Sequence, residues 1–172
     1  MEHIITRPAT LADLPQILVI YNDIILHTTA VWQYEPQTID MRREWLESRQ
    51  QQGFPVFVAE TLYPEATGKK IVGFSSYGPF RNWPAYKHTV ENSVYVAKEM
   101  RGKGIAKLLM PPLIESAKEQ QMHAMVAGIE ASNEASIKLH EAFGFVEVAH
   151  FKEVGWKFNR WMDLKFLELI LE

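Results

Sequence analysis

The sequence predicts a mixed α/β protein in which helices cover the faces of one mixed β-sheet. The main observation is the order of the elements, which reads roughly βααβββαβαββ along the chain. Its 172 residues suit one domain, and its 47% hydrophobic and 23% charged residues are ordinary for a soluble globular protein. Because neither an internal repeat nor a linker rich in proline, glycine or serine interrupts the sequence, we expect a single domain over residues 1–172.

In the first half of the chain, the periodicity changes from helical to strand-like. Pro8 ends a short first strand, and Thr10 with Asp13 is typical of an N-cap followed by an acidic first turn. Gly53 marks the end of a second helix. The predicted elements are a strand at His3–Arg7, helices through Leu14–Ile25 and Thr38–Gln52, and a hairpin of strands Pro55–Thr61 and Ile71–Gly78 joined by a turn that contains proline and glycine.

The second half of the chain alternates strands and helices. Pro111 and Pro112 fall inside its first helix, where we expect them to bend or locally break it. Lys157 and Arg160 fall at the tip of the last hairpin, where a solvated turn is expected and a substrate contact across a dimer is the alternative. The predicted elements are an irregular segment at Phe80–Lys87, strands at Val90–Val96, Met122–Ile129, Phe145–Val154 and Trp161–Ile170, and helices at Gly104–Gln120 and Glu134–Phe143.

Charge and composition exclude several classes of protein. With 18 Lys+Arg against 21 Asp+Glu, the formal net charge of −3 gives no overall basic field for nucleic acid. The chain has no cysteine, which excludes disulfides, thiolate metal sites and a cysteine nucleophile. The six histidines show no short ligand spacing, so we expect no metal. Without a signal-like N-terminus or a long apolar run, we expect a soluble cytoplasmic protein with no membrane partner.

The most informative segment, at 94–109, is a strand, a tight loop and an amphipathic helix. The loop reads Arg101-x-x-Gly104-x-Ala106, with a second glycine at Gly102. Small residues let the backbone approach a ligand, and the N–H groups of the first helical turn converge on one point, which suits a pyrophosphate. Lys103 and Lys107 add positive charge nearby. The alternative is an ordinary corner with solvated charges, since the loop has neither the Gly-Lys-Ser/Thr ending of ATP-binding loops nor the three glycines of dinucleotide-binding loops.

This loop resembles motif A of the GNAT acetyltransferase superfamily, in which the turn holds the pyrophosphate of acetyl-CoA. A second block, Asn133-Glu-Ala-Ser-Ile-Lys-Leu-His-Glu-Ala-Phe-Gly-Phe145, is similar to the family's Asn-…-Tyr-x-x-x-Gly-Phe block on the following helix. Two blocks in the family's order are much harder to obtain by chance than either block alone. Three further segments are similar to the phosphinothricin N-acetyltransferase subgroup, so that the likeness covers nearly the whole chain: 89–96, 125–131 and 153–164.

The resemblance implies the GNAT fold, a central mixed and mostly antiparallel sheet of about six to seven strands flanked by about four helices. It implies acetyl-CoA as co-substrate, no other organic cofactor, and a homodimer. The acceptor that it implies is the amino group of phosphinothricin, methionine sulfoximine or methionine sulfone. Backbone N–H groups of the strand before the loop suit the acyl oxygen. The predicted cofactor-binding residues are Val94, Tyr95, Val96, Arg101, Gly102, Lys103, Gly104, Ile105, Ala106, Lys107, Asn133 and Ser136.

Two residues are candidates for proton transfer. Glu91 is the candidate base, because alternation places it on the strand face opposite Asn92 and burial of a carboxylate raises its pKa. The alternative is a structural ion pair. His140 is the candidate acid for the departing thiolate, where the superfamily often has tyrosine, and it shares one helix face with Asn133 and Ser136. The alternative is a packed or solvent-facing histidine.

The candidate substrate-binding residues come from two loops and one strand. Arg81 is the candidate carboxylate clamp, because a planar guanidinium matches two oxygens. Ala85 and Tyr86 fall in the same irregular segment, which the resemblance aligns with the subgroup's substrate pocket. Trp32 is a candidate cover for that pocket, although lone aromatic residues more often pack. Glu91 would contact the acceptor amine.

The sequence leaves three functions open. The leading hypothesis is acetyl transfer to a small amino acid or analogue by direct attack in a ternary complex, since no cysteine can carry the acyl group. The alternatives are acetylation of protein N-termini or lysines, and a non-catalytic module that binds acetyl-CoA.

Overall fold

A computed structural model describes residues 3–62 and 69–172. Within these residues the chain forms seven strands and four helices, with short 3-10 turns at Leu11–Asp13, Pro84–Tyr86 and Lys98–Met100. The strands are β1 (His3–Pro8), β2 (Val56–Leu62), β3 (Lys70–Pro79), β4 (Thr89–Val96), β5 (Ala124–Glu130), β6 (Val146–Lys157) and β7 (Arg160–Ile170). The helices are α1 (Leu14–His27), α2 (Ile39–Gln51), α3 (Ile105–Glu119) and α4 (Glu134–Ala142).

The strands form a sheet with the order β1-β2-β3-β4-β5-β7-β6. β4 and β5 are parallel, whereas β1 with β2, β2 with β3, β5 with β7 and β6 with β7 are antiparallel. The register places Val126 beside Glu91, and Phe166 beside Gly128. The predicted mixed α/β fold with a mostly antiparallel sheet is therefore confirmed over the described residues.

Two compact units are distinguished in the chain, and the predicted single domain stays a prediction. In the first unit, an aromatic cluster forms part of the core. The Tyr95 ring lies 5.1 Å from the Phe74 ring and 5.4 Å from the Tyr21 ring, centroid to centroid. The buried guanidinium of Arg42 lies 4.0 Å above the Tyr21 ring, a cation–π contact that satisfies part of its charge. This unit combines Met1–Asp23, Gln37–Tyr77 and Ser93–Leu113.

The second unit contains the whole of strands β5, β6 and β7. Met125, Phe145 and Leu167 are almost completely buried in its core. The alternation of β7 puts Leu167 inside, where it pairs in register with Ala127 of β5. This unit combines Ile24–Pro36, Gly78–Asn92 and Ile114–Glu172.

The helix boundaries follow from the capping residues that the sequence indicated. The backbone N–H of Thr10 donates to the Asp13 carboxylate at 2.8 Å, which closes the turn before α1. Thr38 accepts a hydrogen bond from the Met41 N–H at 3.3 Å and so caps α2. Gly53 has a φ of +75°, the left-handed conformation that ends a helix and that glycine adopts without strain.

α3 is one continuous helix through Pro111 and Pro112, so the predicted local break is wrong, whereas the predicted bend stays a prediction. The two prolines remove the N–H groups that would bond to the carbonyls of Lys107 and Leu108. Because both of these residues are exposed, water can satisfy those carbonyls, and the predicted local break does not occur. The turn predicted between β2 and β3 lies outside the described residues. In the described part of the chain, no helix combines the length and the apolar character that a membrane crossing requires.

Candidate active site

The glycine-rich loop lies between β4 and α3, in the first unit. Gly102 and Gly104 have φ values of +74° and +81°, which residues with a side chain rarely adopt. Apart from chain neighbours, no described atom lies within 4 Å of the place a Cβ would take at either glycine. α3 begins directly after the loop at Ile105, so the N–H groups of Ile105 and Ala106 have no partner inside the helix, whereas the Lys107 N–H donates to the Gly104 carbonyl at 3.0 Å. An anion therefore has open access to backbone donors at a helix N-terminus.

Basic side chains surround this loop. Arg101 is tied to the protein, since its Nε donates to the Val96 carbonyl at 3.2 Å and its Nη2 lies 3.7 Å from Asp23 Oδ2. Lys103 and Lys107 are exposed and can follow a ligand. Arg101 thus fixes the loop to the end of β4, while the two lysines supply mobile positive charge.

Gly73 of β3 allows a close approach that the sequence analysis did not single out. A Cβ at Gly73 would lie 2.9 Å from the Tyr95 carbonyl oxygen and 3.2 Å from Ile105 Cγ2. The side chain of Ile105 is buried there, so this residue can offer a ligand only its backbone. The side chain of Tyr95 packs in the aromatic cluster, whereas Val94 and Ala106 are half-buried. A glycine inside a predicted strand was the signal for this contact.

Glu91 and Arg81 form a charged pair in the second unit. Arg81 Nη1 lies 3.8 Å from Glu91 Oε2, and the two side chains are 47% and 36% exposed. Burial raises the pKa of Glu91 above its ordinary value, and the positive charge of Arg81 opposes that rise. A half-buried carboxylate with a raised pKa is suited to accept a proton from a bound ligand.

Aromatic rings hold Arg81 in place. Its guanidinium stacks 4.0 Å over the ring of Phe80, and its Nη1 donates to the Phe80 carbonyl at 2.7 Å. The Phe80 ring meets the Tyr86 ring at 5.6 Å and the Phe166 ring at 6.0 Å, both edge to face. Ala85 is exposed in the same turn as Tyr86. The structure therefore brings together the predicted substrate residues of the segment after β3 and the predicted base.

His140 is buried and has partners at both ring nitrogens. Its Nδ1 donates to the Ser136 carbonyl at 2.7 Å, since a carbonyl can only accept, and its Nε2 lies 3.0 Å from Asn92 Nδ2. With the Asn92 amide as donor, Nε2 is an acceptor, so the imidazole is neutral and carries its proton on Nδ1. Burial lowers the pKa of His140, which favours this neutral form. Asn133 caps α4, because its Oδ1 accepts from the Ser136 N–H at 3.2 Å. Asn92, which sequence reasoning missed, thus links β4 to α4 through His140.

The solvated turn predicted at Lys157 is wrong, because Lys157 is only 3% exposed. The last turn of α1 and the loop that follows it supply the carbonyls that solvate its ammonium group. Arg160 is exposed, but it is the first residue of β7, and the turn consists of Phe158 and Asn159. The carbonyl oxygens that accept from Lys157 Nζ belong to Ile25 at 2.6 Å, Thr28 at 2.8 Å and Val31 at 2.6 Å.

Two neighbours of Lys157 also hold this loop. The Trp32 ring lies directly on Gly155, where a Cβ would come within 2.3 Å of the ring. Trp32 Nε1 donates to the Thr29 carbonyl at 2.9 Å. The Tyr34 hydroxyl donates to the Trp156 carbonyl at 2.6 Å. The end of β6 therefore fixes the position of Trp32, whose contact with substrate stays a prediction.

Glu130, at the end of β5, is a second buried charge that sequence reasoning missed. It accepts from the hydroxyls of Thr29, at 2.9 Å, and Ser132, and lies 3.9 Å from Arg160 Nη2. These contacts hold the start of α4 and the loop after α1. A glutamate directly after a buried strand and before a helix cap was the available signal. Among the described residues, no group of three or more histidine and carboxylate side chains is arranged to hold a metal ion.

The chain is similar to proteins whose family is known. Residues 6–165 match the acetyltransferase (GNAT) domain family. The L-methionine sulfoximine/L-methionine sulfone acetyltransferase of Pseudomonas aeruginosa is 45% identical over 96% of this chain and 94% of its own length. The ribosomal-protein-alanine N-acetyltransferase structure from Brucella melitensis is 47% identical, with a TM-score of 0.90 over 97% of this chain and 99% of that one.

A structure that contains the co-substrate is also similar. The phosphinothricin acetyltransferase of Sinorhizobium meliloti in complex with acetyl-CoA has a TM-score of 0.90 and 31% identity, covering 98% of this chain and 88% of that one. The chain thus belongs to the GNAT acetyltransferase family. It is an acyltransferase of that family, as the sequence predicted.

Proposed function

We propose that the protein transfers the acetyl group of acetyl-CoA to the α-amino group of a small amino acid or amino-acid analogue. Methionine sulfoximine, methionine sulfone and phosphinothricin are the first acceptors to test, which the names of the P. aeruginosa and S. meliloti relatives support. The observation that carries the proposal is the pair of Arg81 and Glu91, whose charged groups lie 3.8 Å apart.

This pair matches the charges of an α-amino acid. Such a molecule carries a carboxylate and an ammonium group on one carbon atom at neutral pH. The guanidinium of Arg81 can bind the carboxylate through two hydrogen bonds. Glu91 can then bind the ammonium group and accept its proton. The rings of Phe80, Tyr86 and Phe166 offer an apolar wall for the rest of the acceptor.

Acetyl-CoA supplies the activated acyl group, and the glycine-rich loop is suited to its pyrophosphate. The backbone N–H groups of 102–106 are the proposed donors, with the side chains of Lys103 and Lys107 adding charge. Asn133 and Ser136 are proposed as further cofactor contacts on the family resemblance. The N–H groups of Val94–Val96 are proposed for the acyl oxygen.

The chemistry needs a neutral amine and a direct attack. Glu91 takes the proton of the ammonium group, directly or through one water, and leaves the nitrogen lone pair free. Because the chain has no cysteine, we propose transfer within a ternary complex. Initial-velocity lines that intersect are expected when both substrates are varied, and parallel lines would contradict this order. His140 as proton donor to the thiolate stays a prediction, since its ring nitrogens are hydrogen-bonded to Ser136 and Asn92.

The test is the release of free CoA from acetyl-CoA in the presence of each acceptor. Wild-type protein should turn over at least one of methionine sulfone, methionine sulfoximine and phosphinothricin. The E91Q variant should keep acetyl-CoA binding, measured by calorimetry, and lose most of kcat. Tight binding of acetyl-CoA without turnover of any amine in a broad panel would instead favour a non-catalytic binding module.

Acetylation of protein N-termini is a second candidate, supported by the name of the B. melitensis relative. A peptide that begins with alanine belongs in the same panel. The Arg81–Glu91 pair predicts that free amino acids are preferred, because an N-terminal alanine in a peptide has no α-carboxylate for Arg81 to bind. A kcat/KM for the peptide above that for every free amino acid would favour the protein acetyltransferase.

We also propose a homodimer that forms through β6, together with a cytoplasmic location, which a cysteine-free composition suits. β6 is the last strand in the sheet order and carries exposed Val146, Val148 and Val154 along its length. An edge strand with exposed apolar side chains is a surface on which a second copy can pair. Sedimentation velocity should show a dimer that V148K dissociates. V19K, at an exposed valine of α1, is the matched control and should leave the dimer intact.

A further inference from the structure

Gly128 is an opening in a strand that is otherwise buried. β5 is described along its whole length, and six of its seven residues are buried, with Gly128 alone exposed. A glycine weakens the interior of a strand, since it has no side chain to pack and loses more conformational freedom on folding. Its presence here therefore calls for a contact that a side chain would prevent.

The carboxylate of Glu91 lies against the position that a side chain at Gly128 would take. A Cβ at Gly128 would lie 2.9 Å from Glu91 Oε1, 3.3 Å from Phe166 Cε1 and 3.8 Å from Leu164 Cδ1. One carboxylate oxygen therefore lies closer to the position of the missing Cβ than an ordinary contact would allow, and the two apolar side chains lie next to the same position. The other oxygen, Oε2, is the one that lies 3.8 Å from Arg81 Nη1. Gly128 and Arg81 together define where the carboxylate is.

We propose that Gly128 is a positioning residue for acetyl transfer. Because Gly128 has no side chain, the Glu91 carboxylate has room to lie where the acceptor amine arrives, and the strand surface stays open to that amine. This inference rests on the proposed role of Glu91 as the base. An added methyl group would have to displace the carboxylate by roughly 0.5–1 Å to restore an ordinary contact distance.

The displaced group is the flexible end of a side chain rather than backbone, so the fold accepts a methyl group at little cost. Catalysis is more sensitive than the fold to the added methyl group, because a misplacement of about 1 Å in a catalytic group can lower the rate ~100-fold. G128A should therefore reduce kcat about 10- to 100-fold. Its thermal midpoint and its acetyl-CoA dissociation constant should stay close to those of the wild-type protein. A kcat within twofold of wild type would overturn the inference.

A double-mutant cycle separates positioning from general strand damage. Aspartate is one methylene shorter than glutamate, so its carboxylate withdraws from Gly128. G128A should cost about 10- to 100-fold in the wild-type background but less than about threefold in the E91D background. G155A is the matched control, since its Cβ would meet the Trp32 ring rather than Glu91, and its effect should be the same with and without E91D. An equal cost of G128A in both backgrounds would overturn the inference.

The failure of this inference and that of the proposed function look different. If E91Q keeps full turnover, Glu91 is not the base, and the inference falls with that role. If E91Q is impaired while G128A is not, the proposed function stands and only the positioning role of Gly128 is overturned. The same CoA-release assay with the best acceptor of the panel reads both results.

Discussion

The buried ammonium group of Lys157 gives the most quantitative prediction for stability. Its Nζ donates to three carbonyls, those of Ile25, Thr28 and Val31, over distances of 2.6–2.8 Å. These carbonyls end α1 and begin the loop that carries Trp32. K157M keeps most of the apolar stem and removes all three donors. The perturbation is therefore confined to the charge and its hydrogen bonds.

The magnitude follows from opposing contributions. Each hydrogen bond to a charged group contributes about 1.5–3 kcal/mol, so three of them give a gross loss of roughly 4.5–9 kcal/mol. Relief from burying an ammonium group returns several kcal/mol of this. We expect a net loss of about 3 kcal/mol in the free energy of unfolding, in line with values for removing one partner of a buried charged contact. For a chain of this size, that lowers the thermal midpoint by about 6–12 °C.

Urea titration and thermal melts monitored by circular dichroism measure this loss. K138M is the control, because Lys138 is exposed and pairs with exposed Glu134 one turn away at 3.2 Å, so its loss should stay below about 0.5 kcal/mol. Chymotrypsin should also cut the loop at 28–36 faster in K157M than in K138M. A midpoint for K157M within about 1 °C of that of K138M would refute the reasoning. If K157M does not fold, K157R keeps the charge and should fall between the two.

Four further predictions concern activity and local stability. R81M removes the positive charge that opposes the raised pKa of Glu91, so this pKa should rise further. Because activity is lost as pH falls through that pKa, the acidic limb of the kcat/KM profile should move to higher pH. Loss of the carboxylate-binding guanidinium should also raise KM for the amino acid at least tenfold. An unchanged limb would remove Arg81 from the environment of the base. G104V forces a β-branched residue into a φ of +81° and should raise KM for acetyl-CoA far more than KM for the acceptor; equal increases would contradict a role in cofactor binding. N133A removes the cap of α4 and should cost about 1 kcal/mol in urea unfolding, whereas E141A, at an exposed position near the other end of the helix, should cost little. H140Q should abolish the alkaline limb of the kcat profile if His140 donates a proton, whereas a lower thermal midpoint with an intact limb would identify it as a residue that holds Asn92.

The fold was predictable because periodicity and turn residues agree along most of the chain. Pro8, Thr38 and Gly53 each mark a boundary where the structure has one. The exception was α3, where two prolines predicted a break. Here the carbonyls that lose their partners belong to exposed residues, so that water can satisfy them and the helix continues through both prolines. The sequence does not show whether water or a neighbouring group will meet a given carbonyl.

The candidate site was predictable where a motif or a rare residue type carried the signal. The loop around Gly104 and the charged pair of Arg81 and Glu91 lie where the motif and the strand pattern indicated. Contacts between distant segments were not predictable. Lys157 read as a solvated turn residue because nothing in its neighbourhood in sequence announces three carbonyls more than 120 residues away. Gly128 was likewise visible only as a glycine in a strand, without its neighbour.

The arrangement at the end of β6 has a practical consequence for anyone who modifies this enzyme. Residues 155–157 of β6 contact the end of α1 and the segment after it through Gly155, the Trp156 carbonyl and the Lys157 ammonium group. The ring of Trp156 is exposed. A label, an affinity ligand or an immobilisation support attached at this strand would pull on the segment that carries Trp32. Attachment sites for sensors or columns are better chosen on the outer surface of α2, for instance at exposed Met41.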